Sequence, residues 1–189
     1  DARRSSQTAL SNILQALLRW ISPVLSFTAE EAWLLMKEDE DSVHLLEWFE
    51  DWHDFGDLKI TDEEWKQVLE IRSEVNKHIE EARNKEIIGS ALDADLELCC
   101  DADTKKLLDK FGDELRFIFI TSDAKVNLSE EGKDTNLEGL RINVSKTDNQ
   151  KCVRCWHSRP EVGQIKEHES ICQRCFENVE GEGELRLYA

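Results

Sequence analysis

The sequence predicts an α+β protein built in several parts: the remainder of a helical bundle, a long connecting helix, a small α/β unit of short strands, and a C-terminal four-cysteine ribbon. Three observations carry this reading. Apolar residues recur every three or four positions through Leu10–Ile21 and again through Trp65–Ala82, as on the buried face of a helix. After Gly89 the period drops to two, with Ala94, Leu96, Leu98 and Cys100 alternating with acids, as in a half-buried strand. Near the end, sixteen residues separate Cys152-Val153-Arg154-Cys155 from Cys172-Gln173-Arg174-Cys175.

Taken in order, Leu10, Ile13, Leu14, Leu17, Leu18 and Ile21 form the stripe of a first helix, which Ser22 and Pro23 stop because proline lacks an N–H. Thr28 then caps a second helix, with Glu31 three residues on completing a capping box. Two helices joined by a short turn resemble the end of a bundle, with Trp20 and Trp33 as core residues. Residues 38–60 are acidic and irregular, punctuated by Trp48, Phe49, Trp52 and Phe55. They read as a linker pinned by its rings.

The third helix has the clearest signals. Thr61 is its cap, Glu64 closes the capping box, and Ile60 with Trp65 makes a hydrophobic staple. Its buried stripe runs through Trp65, Val68, Leu69, Val75, Ile79 and Ala82, and Glu70, Glu74, Lys77, Glu80 and Glu81 form a solvated face. Beyond the alternating strand, residues 103–112 read as a short helix. The dense apolar run Leu115–Ile120 reads as a strand covered on both faces. Lys125–Leu128 and Leu140–Ser145 supply two more strands, separated by a polar loop around Glu130–Asn136. The resulting division is 1–60 for the bundle end and linker, 61–147 for the long helix and junction unit, and 148–189 for the ribbon and tail.

Composition bounds the function. No apolar run approaches the roughly 20 residues that span a membrane, and proline is scarce, as in a soluble, helix-rich cytoplasmic protein. The net charge is −17, yet residues 141–189 hold eight basic and eight acidic side chains, so the whole imbalance lies in residues 1–140. Electrostatics alone do not suggest a nucleic-acid partner. The chain opens at Asp1 with no convincing helix cap, which reads as a piece of something longer.

The cysteine pattern points to metal. Each Cys-x-x-Cys pair can wrap one side of a tetrahedral Zn²⁺, with Zn–S distances of about 2.3 Å. Four protein ligands leave no open position, so one zinc bound by Cys152, Cys155, Cys172 and Cys175 is structural. Two disulfides also fit the count, but they need an oxidising compartment and no apolar signal segment precedes them. His157 and His168 flank the site as loop or supporting residues, although either can in principle replace a thiolate. Cys99 and Cys100 are adjacent, so in a strand they point to opposite faces and make a poor chelate.

No Gly-rich phosphate loop, His-Glu-x-x-His or glycine-flanked serine occurs. With 41 acids in 189 residues, chance carboxylate pairs are inevitable and none stands out as an acid/base couple. The ribbon does carry the mixed basic and aromatic chemistry of single-stranded RNA recognition: Arg154, Trp156, Arg159, Lys166 and Arg174. For Trp156 two readings stand, stacking on a splayed base or packing in the ribbon's own small core.

Four blocks, in order, resemble the C-terminal region of bacterial-type isoleucyl-tRNA synthetases. They are Arg19-Trp20-Ile21-Ser22-Pro23-Val24-Leu25-Ser26-Phe27-Thr28-Ala29-Glu30-Glu31-Ala32-Trp33, Arg72-Ser73-Glu74-Val75-Asn76-Lys77, Gly112-Asp113-Glu114-Leu115-Arg116-Phe117, and Lys151-Cys152-Val153-Arg154-Cys155-Trp156-His157 with Ile171-Cys172-Gln173-Arg174-Cys175. The resemblance implies a parent enzyme, a monomer, that activates isoleucine with ATP and Mg²⁺ and transfers it to isoleucine tRNA. The signatures of adenylation and the editing domain do not occur in these residues, so the chain would be the inactive, tRNA-reading end of that enzyme. The four cysteines carry over as zinc ligands, and Arg154 and Trp156 as RNA contacts.

Two rivals remain. Formamidopyrimidine-DNA glycosylases end in a ribbon of the same spacing, but their N-terminal catalytic proline and helical domain do not appear in this sequence. A zinc-scaffolded protein-interaction domain would make sense of the −17 charge.

Overall fold

The computed structural model describes residues 2–36, 41–52, 59–184 and 186–188. The chain divides into two compact units, Asp1–Leu58 and Lys59–Ala189. Phe55, expected to pin the linker, lies outside the described residues.

In the first unit, α1 (Ala2–Ile21) and α2 (Ser26–Met36) pack around Leu18, Ala29, Trp33 and Val43. Helix α1 stops as the proline predicts: the N–H groups of Val24 and Leu25 both turn back to the Ile21 carbonyl (2.9 and 2.8 Å). Helix α2 begins at Ser26, so Thr28 lies inside it and is not its cap. The turn hands directly into the next helix, with Ala29 N–H already bonded to the Leu25 carbonyl. Trp33 is the unit's largest buried side chain, and its indole Nε1–H donates to the Asp41 carbonyl (2.9 Å). Trp20, expected beside it in the core, is 51% exposed. The following segment is docked through Glu30, whose carboxylate accepts from Ser42 Oγ (2.9 Å) and Val43 N–H (3.0 Å). A 3₁₀ turn, Val43–Leu45, then drops Val43 into the core.

The second unit is a four-stranded mixed sheet with helices around it. Helix α3 (Asp62–Asn84) has the expected capping box: Thr61 Oγ1 accepts from Glu64 N–H (3.2 Å) and the Glu64 carboxylate from Thr61 N–H (3.1 Å). Such a cap is worth about 1 kcal/mol. Its buried stripe is Val68, Ile71, Val75, Ile79 and Ala82; Ile71 joins it, while Leu69 and Trp65, expected in it, lie partly exposed at 43% and 37%.

Strand β1 (Ala94–Cys100) lies at the centre of the sheet, followed by α4 (Ala102–Asp109), α5 (Leu115–Phe119), β2 (Asp123–Leu128), β3 (Lys133–Asp134) and β4 (Leu140–Lys146). The strand order is β2-β1-β4-β3, with β1 parallel to β2 and antiparallel to β4. A parallel pair needs a crossover, and α4 and α5 supply it. Alternation places Ala94, Leu96, Leu98 and Cys100 in the same core as the α3 stripe, together with Leu140 and Ile142 of β4. Cys99 and Cys100 are both buried strand residues; burial pushes the Cys100 thiol up to about 11.

A further expectation is overturned. Leu115–Ile120 is not a strand: a 3₁₀ turn, Gly112–Glu114, leads straight into the five-residue helix α5, and Ile120 in the left-handed region (φ 58°) ends it. A short apolar run suits a buried helical turn as well as a strand.

Candidate metal centre and the surface around it

The last segment is anchored on the sheet before it reaches the cysteines. The completely buried Ser122, between α5 and β2, donates its hydroxyl to the Leu92 carbonyl and accepts the Ser158 N–H (2.6 Å). Arg159 donates to the Ser122 carbonyl (3.1 Å) and forms ion pairs with Asp113, Asp123 and Glu161. Thr147 N–H closes on the Asp93 carbonyl (2.9 Å). These contacts hold the first cysteine knuckle over α5 and the start of β2.

The first knuckle is a tight turn. Lys151 and Ser158 form a β-bridge, Cys152 N–H donates to the His157 carbonyl (2.9 Å), and Trp156 N–H returns to the Cys152 carbonyl (2.9 Å). Closing this turn places Trp156 in the left-handed region at φ 67°. That conformation costs an L-residue about 1–2 kcal/mol. The second knuckle begins helix α6 (Gln173–Val179), an element with no signal in the sequence; Cys172 is its N-cap and Cys175 lies in its first turn.

The two knuckles bring Cys152, Cys155, Cys172 and Cys175 together, with all four sulfurs within 4.8 Å of one another. Sulfurs on a tetrahedron of 2.3 Å bonds stand about 3.8 Å apart. The Cys155 and Cys172 sulfurs, at 3.6 Å, already approach that spacing. Donor type, number and distance therefore all fit one Zn²⁺. Three of the four cysteines are buried, and Val162, Ile171 and Phe176 complete the small core around them.

Electrostatics favour a cation here. Four clustered sulfurs cannot all ionise unaided: a hydrogen bond from Cys172 holds the Cys155 thiol down to about 3, while that same bond and burial push Cys172 up. Arg154 Nη1 donates to Cys175 Sγ (3.5 Å), and the Arg174 guanidinium helps to hold the Cys155 thiol down. The arginine inside each knuckle thus serves a sulfur of the other.

Neither histidine joins the cluster. His157 is buried beside Arg116 (Nδ1 to Nη1, 3.5 Å) and edge-on to Phe117, with its ring held down to about 4 by burial. His168 faces Glu180 (3.2 Å) and packs on Phe176. Around Phe117 three guanidiniums converge, those of Arg116, Arg174 and Arg186, at 4.2, 5.0 and 3.9 Å from the ring centre. Such cation–π contacts are each worth about 0.5–2 kcal/mol. The tail reinforces them: Leu187 and Tyr188 N–H groups both donate to the Glu114 carboxylate (2.7 Å), and Tyr188 packs edge-on to Phe111. This arrangement was not legible beforehand, because its members come from three distant segments and share no local pattern.

The other residues singled out from the sequence divide into two groups. Arg159 and Arg174 are largely buried and engaged within the protein. Arg154, Trp156 and Lys166 are on the surface; Trp156 is 62% exposed and lies outside the small core, whose apolar side chains come from Val162, Ile171 and Phe176.

Comparison with known proteins places this geometry. Residues 1–98 match the family described as the anticodon-binding domain of tRNA ligase, and residues 149–178 match the zinc finger found in FPG and IleRS. The whole chain is 45% identical over 194 residues to an isoleucine–tRNA ligase of Shewanella sp. (strain ANA-3) and 43% identical over 190 residues to that of Acinetobacter baylyi. It covers 21% and 20% of those proteins, so it spans about one fifth of the length of the curated relatives it matches.

Proposed function

Because the chain belongs to the anticodon-binding domain family of tRNA ligases, we propose that it is the tRNA-reading portion of an isoleucine–tRNA ligase. The observation that carries this reading is the similarity to isoleucine–tRNA ligases over the whole chain, from α1 through the four-cysteine centre. The parent enzyme would join isoleucine to its tRNA at the expense of ATP, with Mg²⁺. Those steps would take place outside these 189 residues, which contain no adenylation signature. Cytoplasmic location follows from that role, and no described helix is long and apolar enough to cross a membrane.

In this reading residues 1–60 are the end of the anticodon-binding bundle, 61–147 the junction, and 148–189 the zinc segment. Cys152, Cys155, Cys172 and Cys175 would hold one Zn²⁺ in a closed site whose contribution is folding free energy, since a segment this small cannot fold on its own apolar area. Its product is the displayed surface. Trp156 presents its indole to solvent in a strained conformation, the kind of outlier that clusters at binding sites. It would stack on an unpaired base, while Arg154 and Lys166 approach phosphates. Arg159 and Arg174 would act beneath them, Arg159 fixing the segment to the sheet and Arg174 supporting Cys155.

The test is a binding titration of labelled isoleucine tRNA with the zinc-loaded chain. Trp156→Ala should weaken binding roughly 5- to 150-fold, the loss of one base stack. Unchanged affinity would remove Trp156 from the interface.

A further inference from the structure

The first unit holds a second cluster of aromatic and charged groups that the zinc segment leaves unexplained. A cleft of about 620 Å³ opens between the end of α1 and the segment after α2, walled by Arg19, Pro23, His44, Glu47, Trp48 and Glu50. Trp48 is 64% exposed. Trp20 and Trp52 are half in solvent as well, with ring centres 6.3 Å apart, and Trp52 meets Phe49 edge-on at 5.0 Å. Leaving indoles in water forgoes the burial that normally draws them inside. A flat partner is what such a surface lacks.

The charged groups narrow the partner. The Arg19 guanidinium is clamped between the Trp33 and Phe49 rings, 5.0 and 5.4 Å from their centres, and its Nη1 donates to the Gln15 carbonyl (3.0 Å). It is therefore held in place before any ligand arrives, while its Nε is buried without a hydrogen-bond partner. Glu47 and Glu50 leave the cleft with a formal charge of −1, which disfavours a phosphate. Carboxylates accept from N–H groups; a base edge offers the exocyclic amines of adenine, guanine and cytosine beside the ring N–H of guanine or uracil, and uracil carries only carbonyl oxygens, which a carboxylate repels, where the others carry an amine. Leu10, Ile13, Leu14 and Leu17, exposed on α1, are aliphatic and offer neither ring nor charge, and Phe27, the other highly exposed ring among the described residues of this unit, does not line the cleft.

We propose that this cleft binds one unstacked RNA base, with Trp48 as its stacking face and Glu47 or Glu50 accepting from its exocyclic amine. The proposal rests on the reading of the chain as an anticodon-binding module and names the chemistry the first unit would contribute. Stacking carries the affinity and the carboxylates the preference for amino-bearing bases.

The probe is a stem–loop RNA carrying the isoleucine anticodon, titrated against the full zinc-loaded chain. Trp48→Ala should weaken binding roughly 5- to 150-fold, while Trp48→Phe, which keeps a stacking ring, retains most of the affinity. Replacing amino-bearing loop bases with uridine should weaken the parent chain and leave Trp48→Ala little changed. Trp48 is exposed, so the helical circular dichroism of both variants should match the parent. Equal binding by the parent and Trp48→Ala overturns the cleft alone. A Trp48→Phe variant as weak as Trp48→Ala overturns stacking as its mechanism. Failure of the parent chain to bind the stem–loop overturns the anticodon-binding reading, and the cleft with it.

Discussion

Arg154 of the first knuckle donates to the sulfur of Cys175 in the second at 3.5 Å, and the Arg174 guanidinium of the second favours the thiolate of Cys155 in the first. The exchange follows from the repeated Cys-x-Arg-Cys order in both pairs. A zinc ion with four thiolates carries a formal charge of −2, and the two guanidiniums sit where they offset it. Loss of such outer partners commonly costs 10- to 100-fold in metal affinity. Arg174→Met should therefore weaken zinc binding by about that factor, read by competition with a chelator of known affinity. Unchanged affinity would mean that Arg174 acts through Glu184 and Phe117 alone and adds nothing to the metal centre.

Removing a ligand should do more. Cys172→Ser should abolish one-to-one zinc binding and unfold the segment around it, because structural zinc supplies folding free energy directly. Helices α1 to α3 lie outside that segment, so most of the far-ultraviolet circular dichroism should persist. Zinc analysis and the spectrum together check both halves; retained stoichiometry would contradict the four-cysteine centre.

Acid should release the metal reversibly, since protons compete for the same four sulfurs. Zinc affinity is expected to fall steadily as pH drops below 7 and to recover on neutralisation, as followed by a zinc-responsive dye. A pH-independent affinity would exclude thiolate ligands.

Glu74 governs a different pH effect. Expected on the solvated face, it is instead buried on α3, accepts from Lys77 Nζ (2.5 Å), and also takes the Asn136 N–H (3.2 Å), tying the helix to the loop before β4. The Lys77 hydrogen bond holds its carboxyl below the ordinary 4.5. A depressed folded-state pKa gives stability that is present above 4.5 and is lost as pH falls through the lower value. Glu74→Gln should flatten that acid limb in chemical denaturation at a series of pH values. An unaltered limb would show that other carboxylates set it.

The core prediction is simpler. Leu98 is wholly buried in the central strand, where it belongs to the same core as the α3 stripe. Leu98→Ala should destabilise the second unit by about 2–5 kcal/mol, the range for deleting a buried leucine.

Much of this molecule was readable from short-range chemistry. The Thr61–Glu64 capping box, the alternation of β1 and the spacing of the four cysteines each depend on neighbours within a few residues, and each took the expected form. The misreadings share a cause. Leu115–Phe119 satisfies strand and buried-helix patterns equally, and only the turn at Gly112 and the left-handed Ile120 decide between them. Trp20 lies in an apolar stretch, yet the face it occupies depends on which neighbours cover α1. The three arginines around Phe117, and the anchoring of Ser158 by Ser122, join segments tens of residues apart and leave no local trace.

The most direct test of the account is binding of the zinc-loaded chain to isoleucine tRNA, beside a non-cognate tRNA and a DNA duplex, at one fixed moderate salt concentration, since phosphate contacts are strongly salt-dependent. An anticodon-reading module should favour isoleucine tRNA by roughly tenfold or more, about 1.4 kcal/mol. Equal affinity for all three nucleic acids, or none for any, would contradict it.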